Sequence, residues 1–122
     1  MVLEALDTAL GRGAHIYGEI AGVGNSVDAS HQIRPSAEGE AAAIFRAIGD
    51  AGVEREKIGF VSAHATSTVL GDSTEAAALS LVFGEKAAEM PVTAIKSMTG
   101  HMLAASGAFE AAAAMMVIKY GV

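Results

Sequence analysis

Cysteine is absent from the 122 residues. That excludes a disulfide framework, a thiolate metal site and a thiol nucleophile drawn from these residues, and it fits a reducing compartment. Aromatic residues are scarce at 5%, with no tryptophan, so a core must be built from Ala, Val, Ile, Leu and Met. Proline occurs only twice in a sequence that is 52% hydrophobic, which excludes a disordered or collagen-like chain. Basic residues are outnumbered, 8 Lys and Arg against 14 Asp and Glu, for a formal net charge of -6. No Lys/Arg cluster stands out, so a nucleic-acid backbone finds no electrostatic footprint. A long uncharged apolar run is missing too. The most apolar stretch, residues 102–118, carries Glu110 near its centre and is short for a bilayer span. It reads as a buried helix of a soluble protein. The opening MVLEALDTALGRGAH lacks a basic head before an apolar core, so no signal peptide is expected and the location is read as cytoplasmic.

The length allows one domain at most, with a thin margin for a core. Residues 5–10 predict a short helix stopped by Gly11 and Gly13. Residues 15–23, HIYGEIAGV, predict a strand from their β-branched and aromatic content. Residues 24–38 are polar and irregular, a long loop. A helix is expected over 40–51, ended by Gly52. IGFVSA at 58–63 predicts a buried strand, followed by a loop over 64–71. Asp72 with Glu75 three residues on resembles a capping box for a helix that stops at Gly84. VTAI at 92–95 predicts a further strand, 96–100 a loop, and 101–120 a helix apolar on nearly all faces. The order strand, helix, strand, helix, strand, helix argues for an α/β layered fold with parallel pairing. Both histidine loops then lie at strand carboxyl ends, where open α/β sheets bind ligands. A helix apolar all round must be enclosed on every side, and few residues follow it. The chain is therefore expected to be part of something larger, with that helix exposing apolar surface unless another element covers it.

What the sequence does contain is two histidines in dissimilar settings, His64 in VSAHATST and His101 in IKSMTGH, with Lys96 just before the second. Two imidazole N–H groups aimed at one carbonyl would stabilise an enolate as charge develops on its oxygen. A nearby ammonium favours the neutral, donating imidazole. The hydroxyls of Thr66 and Thr68, at alternate positions, suit an amide-bearing ligand such as a pantetheine arm. Each member has a plainer reading. A histidine after a strand is ordinarily structural, Lys96 alone would be a solvated lysine, and Asp72 and Glu75 a helix cap. Glu110 in an apolar helix needs a partner, such as Lys96 or a bound cation. His15 and His31 lack a comparable setting. Only the joint pattern points to catalysis.

HATSTVLGDSTEA followed by KSMTGHMLAASGAFE resembles the C-terminal half of elongating, type II-like β-ketoacyl-[acyl-carrier-protein] synthases. RGAHIYGEIAGVGNSVDASH is similar to the segment that bridges the two halves of that fold. The resemblance implies a thiolase-like α/β layered fold, here a partial copy with a mixed or parallel sheet and a buried helix. Residues 1–38 would be the tail of the N-terminal half (helix, strand and bridging loop), and 39–122 an incomplete C-terminal half. It implies that His64 and His101 bind the malonyl thioester carbonyl and promote decarboxylation, that Lys96 supports them, and that Thr66 and Thr68 contact the phosphopantetheine arm. Glu110 matches an acidic position of the polar network around the lysine, with Asp72 and Glu75 placed in a structural or polar-network role. The implied reaction is a decarboxylative Claisen condensation in fatty-acid or polyketide synthesis. No metal and no cofactor beyond the carrier-borne phosphopantetheine is implied. Acyl carrier protein, the N-terminal ketosynthase half and a homodimeric parent are the implied partners, with no nucleic acid and no membrane.

Three departures qualify the match. The family's nucleophilic cysteine lies in the N-terminal half, and no cysteine here replaces it. The glycine-rich segment that completes the oxyanion hole is missing. Ala65 stands where glycine more often follows the first histidine. The isolated polypeptide is therefore expected to be inactive in condensation. A different class of reading is a non-catalytic carrier-protein-binding or scaffold module of ketosynthase descent. A metal hydrolase using His64, Asp72 and His101 lacks HExxH-type spacing, and Lys96 would repel a cation.

Overall fold

The structure is a computed structural model that describes residues 1–29, 31 and 33–121. Ser30 and Gln32, inside the loop expected over 24–38, and Val122 lie outside the described residues. Helix α1 spans Leu6–Gly11, α2 Ala37–Ala51, α3 Val69–Phe83, α4 Lys96–Thr99 and α5 Ala104–Tyr120. Short 3-10 turns occupy Arg55–Lys57 and Gly84–Ala88, and the strands are β1 (Val61–Ser62) and β2 (Val92–Thr93). The chain divides into two units, the first made of Met1–Ile20 with Met102–Val122 and the second of Ala21–His101.

In the second unit, α2 begins earlier than its apolar pattern announces because Ser36 caps it, its hydroxyl accepting the Gly39 N–H at 3.1 Å. It ends at Gly52, left-handed with φ 64°, a conformation glycine adopts without steric penalty. α3 likewise begins at Val69 rather than after a cap at Asp72. Its cap is Thr68, which accepts the Gly71 N–H at 3.2 Å, so Asp72 is not the capping residue and is free for the loop before the helix. Ala41 of α2 and Ala78, Val82 and Phe83 of α3 form a buried cluster with Met90. Ile44, Ile48, Ile58, Val61 and Leu79 pack around it. The core is the aliphatic, small-residue one expected from the shortage of aromatics except at Phe83, an aromatic ring buried at the end of α3.

The strands pair in parallel, Val61 opposite Val92 and Ser62 opposite Thr93. Val61 N–H donates to Pro91 O and Ala63 N–H to Thr93 O, both at 2.9 Å. The ladder covers fewer residues than the apolar runs at 58–63 and 92–95 suggest. No strand forms over 15–23. Pattern alone cannot make a strand; backbone N–H and C=O groups need a neighbouring strand, and among the described residues the only ladder is β1 with β2. From Gly22 onward the chain lies along α2 instead. Val23 N–H donates to Asp50 Oδ2 at 2.9 Å, Ser26 Oγ to Gly39 O at 2.6 Å, and Arg46 to the Asn25 carbonyl. Gly22 and Gly24 make this close approach possible. A Cβ on Gly24 would collide with the Ala43 carbonyl oxygen.

In the first unit, α1 carries one buried residue, Ala9. Arg12 pairs with Glu4 through two N–H donors, at 2.8 and 2.7 Å, and holds that carboxyl below its ordinary range. His15 and Tyr17 meet edge to face at 4.6 Å, and Lys119 lies over the Tyr17 ring at 4.8 Å. α5 is shorter than 101–120 because Leu103 takes φ 51° and ends the non-helical approach. Ser106 is its one buried residue, and its hydroxyl accepts the Met102 N–H at 2.9 Å. Phe109 and Ile118 stay 50% and 62% exposed, as expected of a helix apolar on nearly every face. Among the described residues no helix is long and apolar enough to cross a membrane.

Candidate functional site

Parallel pairing carries β1 and β2 to the same edge, so the segments leaving them emerge side by side. His64 lies in the segment after β1. The segment after β2 leads into α4, which begins with Lys96 and ends at Thr99, with Gly100 as its C-cap. Residues 96–100 are therefore a one-turn helix rather than an open loop. Met98 and Thr99 N–H groups close on Ile95 O, and Gly100 N–H on Lys96 O at 2.8 Å. Gly100 has φ 69° and ψ 174°, a region occupied almost only by glycine. That bend delivers His101. The His64 and His101 rings meet edge to face with centroids 5.3 Å apart. Lys96 is buried, with 8% of its surface exposed.

The His64 segment is held from α3. Glu75 accepts the His64 N–H through Oε1 at 2.7 Å and the Ala65 N–H through Oε2 at 2.9 Å. Asp72 Oδ1 accepts the Ser67 N–H at 3.1 Å. Two carboxylates one turn apart thus satisfy three backbone donors of a loop that cannot pair them in a sheet. The loop is strained: Ala65 has φ 38° and Ser67 φ 67°, values that L side chains disfavour. Thr66 Oγ1 lies 3.4 Å from Thr68 Oγ1. Thr68 uses a lone pair for the α3 cap and keeps its proton to donate.

A cavity of about 890 Å³ opens beside this segment, lined by His64, Thr66, Thr68, Asp72 and Glu75 among others. Sequence reasoning did not reach three residues that share it, Asp28, Arg34 and Glu40, and set aside a fourth, His31. Asp28 Oδ2 accepts the Ser36 N–H at 3.1 Å, folding the preceding loop back on α2. Burial pushes the Glu40 carboxyl up from its ordinary value, with Glu75 and Asp28 adding repulsion. Spacing could not have revealed these groups, since they come from separate segments. The nearest signal is a carboxylate placed one residue before the apolar side of α2. Glu110 sits half-buried on α5, in the other unit. Among the described residues no group of three or more His, Cys, Asp or Glu side chains is arranged to hold a metal ion.

The arrangement offers two imidazoles at contact distance, a buried lysine in the adjoining turn, and hydroxyls along one wall of an open cavity. Such a set can place N–H donors on a developing oxyanion. Known proteins resemble the chain that carries it. The profile of the beta-ketoacyl synthase C-terminal domain matches residues 17–122. The chain is 44% identical over 121 residues to 3-oxoacyl-[acyl-carrier-protein] synthase 2 of Staphylococcus aureus, covering 98% of this chain and 30% of that protein. Against the synthase of the same name from Coxiella burnetii the identity is 42%, over 98% of this chain and 29% of the relative. Among solved structures, the ishigamide ketosynthase/chain length factor superposes with a TM-score of 0.90 at 44% identity, covering 97% of this chain and 29% of that one. The AntDE:AntF complex, a type II PKS acyl-carrier protein with its ketosynthase bound to the hexaketide, gives 0.90 at 38%, over 94% and 29%. The chain thus spans less than a third of the length of the relatives it matches. It belongs to the β-ketoacyl synthase family, matching the C-terminal domain, with the thiolase-like α/β architecture of the ketosynthases.

Proposed function

We infer that this chain supplies the decarboxylation half of an elongating ketosynthase site. The observation that carries the reading is the His64–His101 contact at 5.3 Å, formed where two adjacent parallel strands end. In this reading a malonyl thioester on a carrier-protein arm enters the cavity along Thr66 and Thr68. Its thioester carbonyl accepts hydrogen bonds from His64 and His101. As the C–C bond to the carboxylate breaks, carbon dioxide leaves and the electron pair moves onto the thioester oxygen, where the two N–H donors stabilise the enolate. Lys96, buried in the adjoining turn, supports the pair. Glu75 and Asp72 hold the backbone of the His64 segment. The enolate carbon then attacks an acyl thioester carried on a cysteine of the N-terminal half and releases that thiolate.

Residues 1–38 then represent the end of the N-terminal half and 39–122 the C-terminal half. The partners are an acyl carrier protein and the N-terminal ketosynthase half, within a homodimeric cytoplasmic enzyme of fatty-acid or polyketide synthesis. Without a nucleophile, a polypeptide of these residues forms no 3-ketoacyl product by itself. The test supplies the N-terminal half of a relative in trans, with acyl and malonyl carrier protein. Product from the mixture, and none from either part alone, supports the reading. Product from the 122-residue chain alone contradicts it.

A further inference from the structure

The cavity beside His64 is lined by four carboxylates, Asp28, Glu40, Asp72 and Glu75, and among its lining residues Arg34 is the only lysine or arginine. Three of the carboxylates are engaged by backbone donors: Asp28 by Ser36, Asp72 by Ser67, and Glu75 by His64 and Ala65. Glu40 is drawn toward its neutral form by burial. Among the described residues no ion pair ties Arg34 to any of them. The guanidinium is exposed yet borders the same space as Thr66 and Thr68. Its backbone is steadied from the C-terminal side. Pro35 restricts the residue before it to extended conformations, and Ser36 is fixed as the α2 cap by its own hydroxyl and by Asp28.

An arm that reaches His64 with its thioester and passes the threonines with its amides begins at a phosphate. Beside four carboxylates that phosphate is repelled unless a fixed cation receives it. We propose that Arg34 is the phosphate-binding residue of the cavity, selecting a phosphopantetheine arm over unphosphorylated pantetheine. A guanidinium fork meets two phosphate oxygens at once, which a point charge does not. The proposal rests on reading the cavity as the channel for such an arm.

The test is calorimetric titration of the full chain with pantetheine and with 4′-phosphopantetheine, for the parent, Arg34→Gln and Arg34→Lys. The parent is expected to prefer the phosphorylated compound by about tenfold, the scale of a hydrogen bond to a charged group. Arg34→Gln should bring that ratio close to one while leaving pantetheine affinity and thermal unfolding unchanged. Arg34→Lys should keep part of it. Coenzyme A and holo acyl-carrier protein, titrated in parallel, separate the two sources of the arm; the carrier protein is expected to lose affinity in Arg34→Gln. A parent without preference, or a glutamine variant that keeps it, overturns the role of Arg34 and leaves the channel standing. Failure of both compounds to bind the parent overturns the channel and Arg34 together.

Discussion

Ala65 is a residue where local sequence and local backbone disagree. Its φ of 38° costs an L-residue about 1–2 kcal/mol, while glycine would add about 0.4–1 kcal/mol of unfolded-chain entropy. Ala65→Gly is therefore expected to stabilise the fold by about 0.5–1 kcal/mol, read as a higher denaturant midpoint with unchanged slope. A neutral or destabilising result would show that the strain is relieved elsewhere. The sequence displays the substitution site but not its sign, because φ depends on how Glu75 and Asp72 pull the three N–H groups. Glu75→Ala should be the costlier change. It strips both charge-assisted acceptors from His64 and Ala65, at about 1.5–3 kcal/mol per such bond before solvent takes their place. Glu40 gives a pH signature. Its carboxyl is raised above the ordinary 4.5 by burial first and by Glu75 and Asp28 second. A raised acid contributes stability that is fully present below its ordinary value and is lost as pH rises through the folded one. Glu40→Gln should melt higher than the parent at neutral pH, with the difference closing below about pH 4. An unchanged difference across that range would contradict the assignment.

At the scale of elements, glycines and caps made the helix ends readable. Gly52 and Gly84 both stop helices with positive φ, and parallel pairing followed from strands separated by a helix. The starts were less legible. Ser36 and Thr68 each cap a helix four residues before the position, 40 or 72, at which its sequence pattern announces it. Residues 15–23 carry strand composition, yet pairing is a property of two segments and no single stretch encodes its partner. The path of 22–26 along α2 depends on glycine at the contact. Gly24→Ala puts a Cβ into the Ala43 carbonyl oxygen and should destabilise by about 1–3 kcal/mol, the usual cost of overpacking. Thermal unfolding of that variant, compared with Ala substituted at the uncrowded Gly49, separates crowding from a generic glycine effect.

For the whole molecule, the exposed apolar surface carries a prediction. On α5 alone Phe109, Met116, Ile118 and Tyr120 are all exposed, apolar surface of a kind that favours association. Sedimentation of the polypeptide should show concentration-dependent assembly, and a strictly monomeric species would count against it. The histidine pair was legible early because both motifs are specific. The surrounding cavity was not, because its carboxylates and Arg34 converge from segments far apart in sequence. The most direct measurement is carbon dioxide release from malonyl carrier protein by the complex of this chain with a relative's N-terminal half. Each of His64→Ala and His101→Ala should lower that rate by about 10²–10³-fold, the cost of removing one oxyanion donor. Release at the parent rate by either variant would contradict the account.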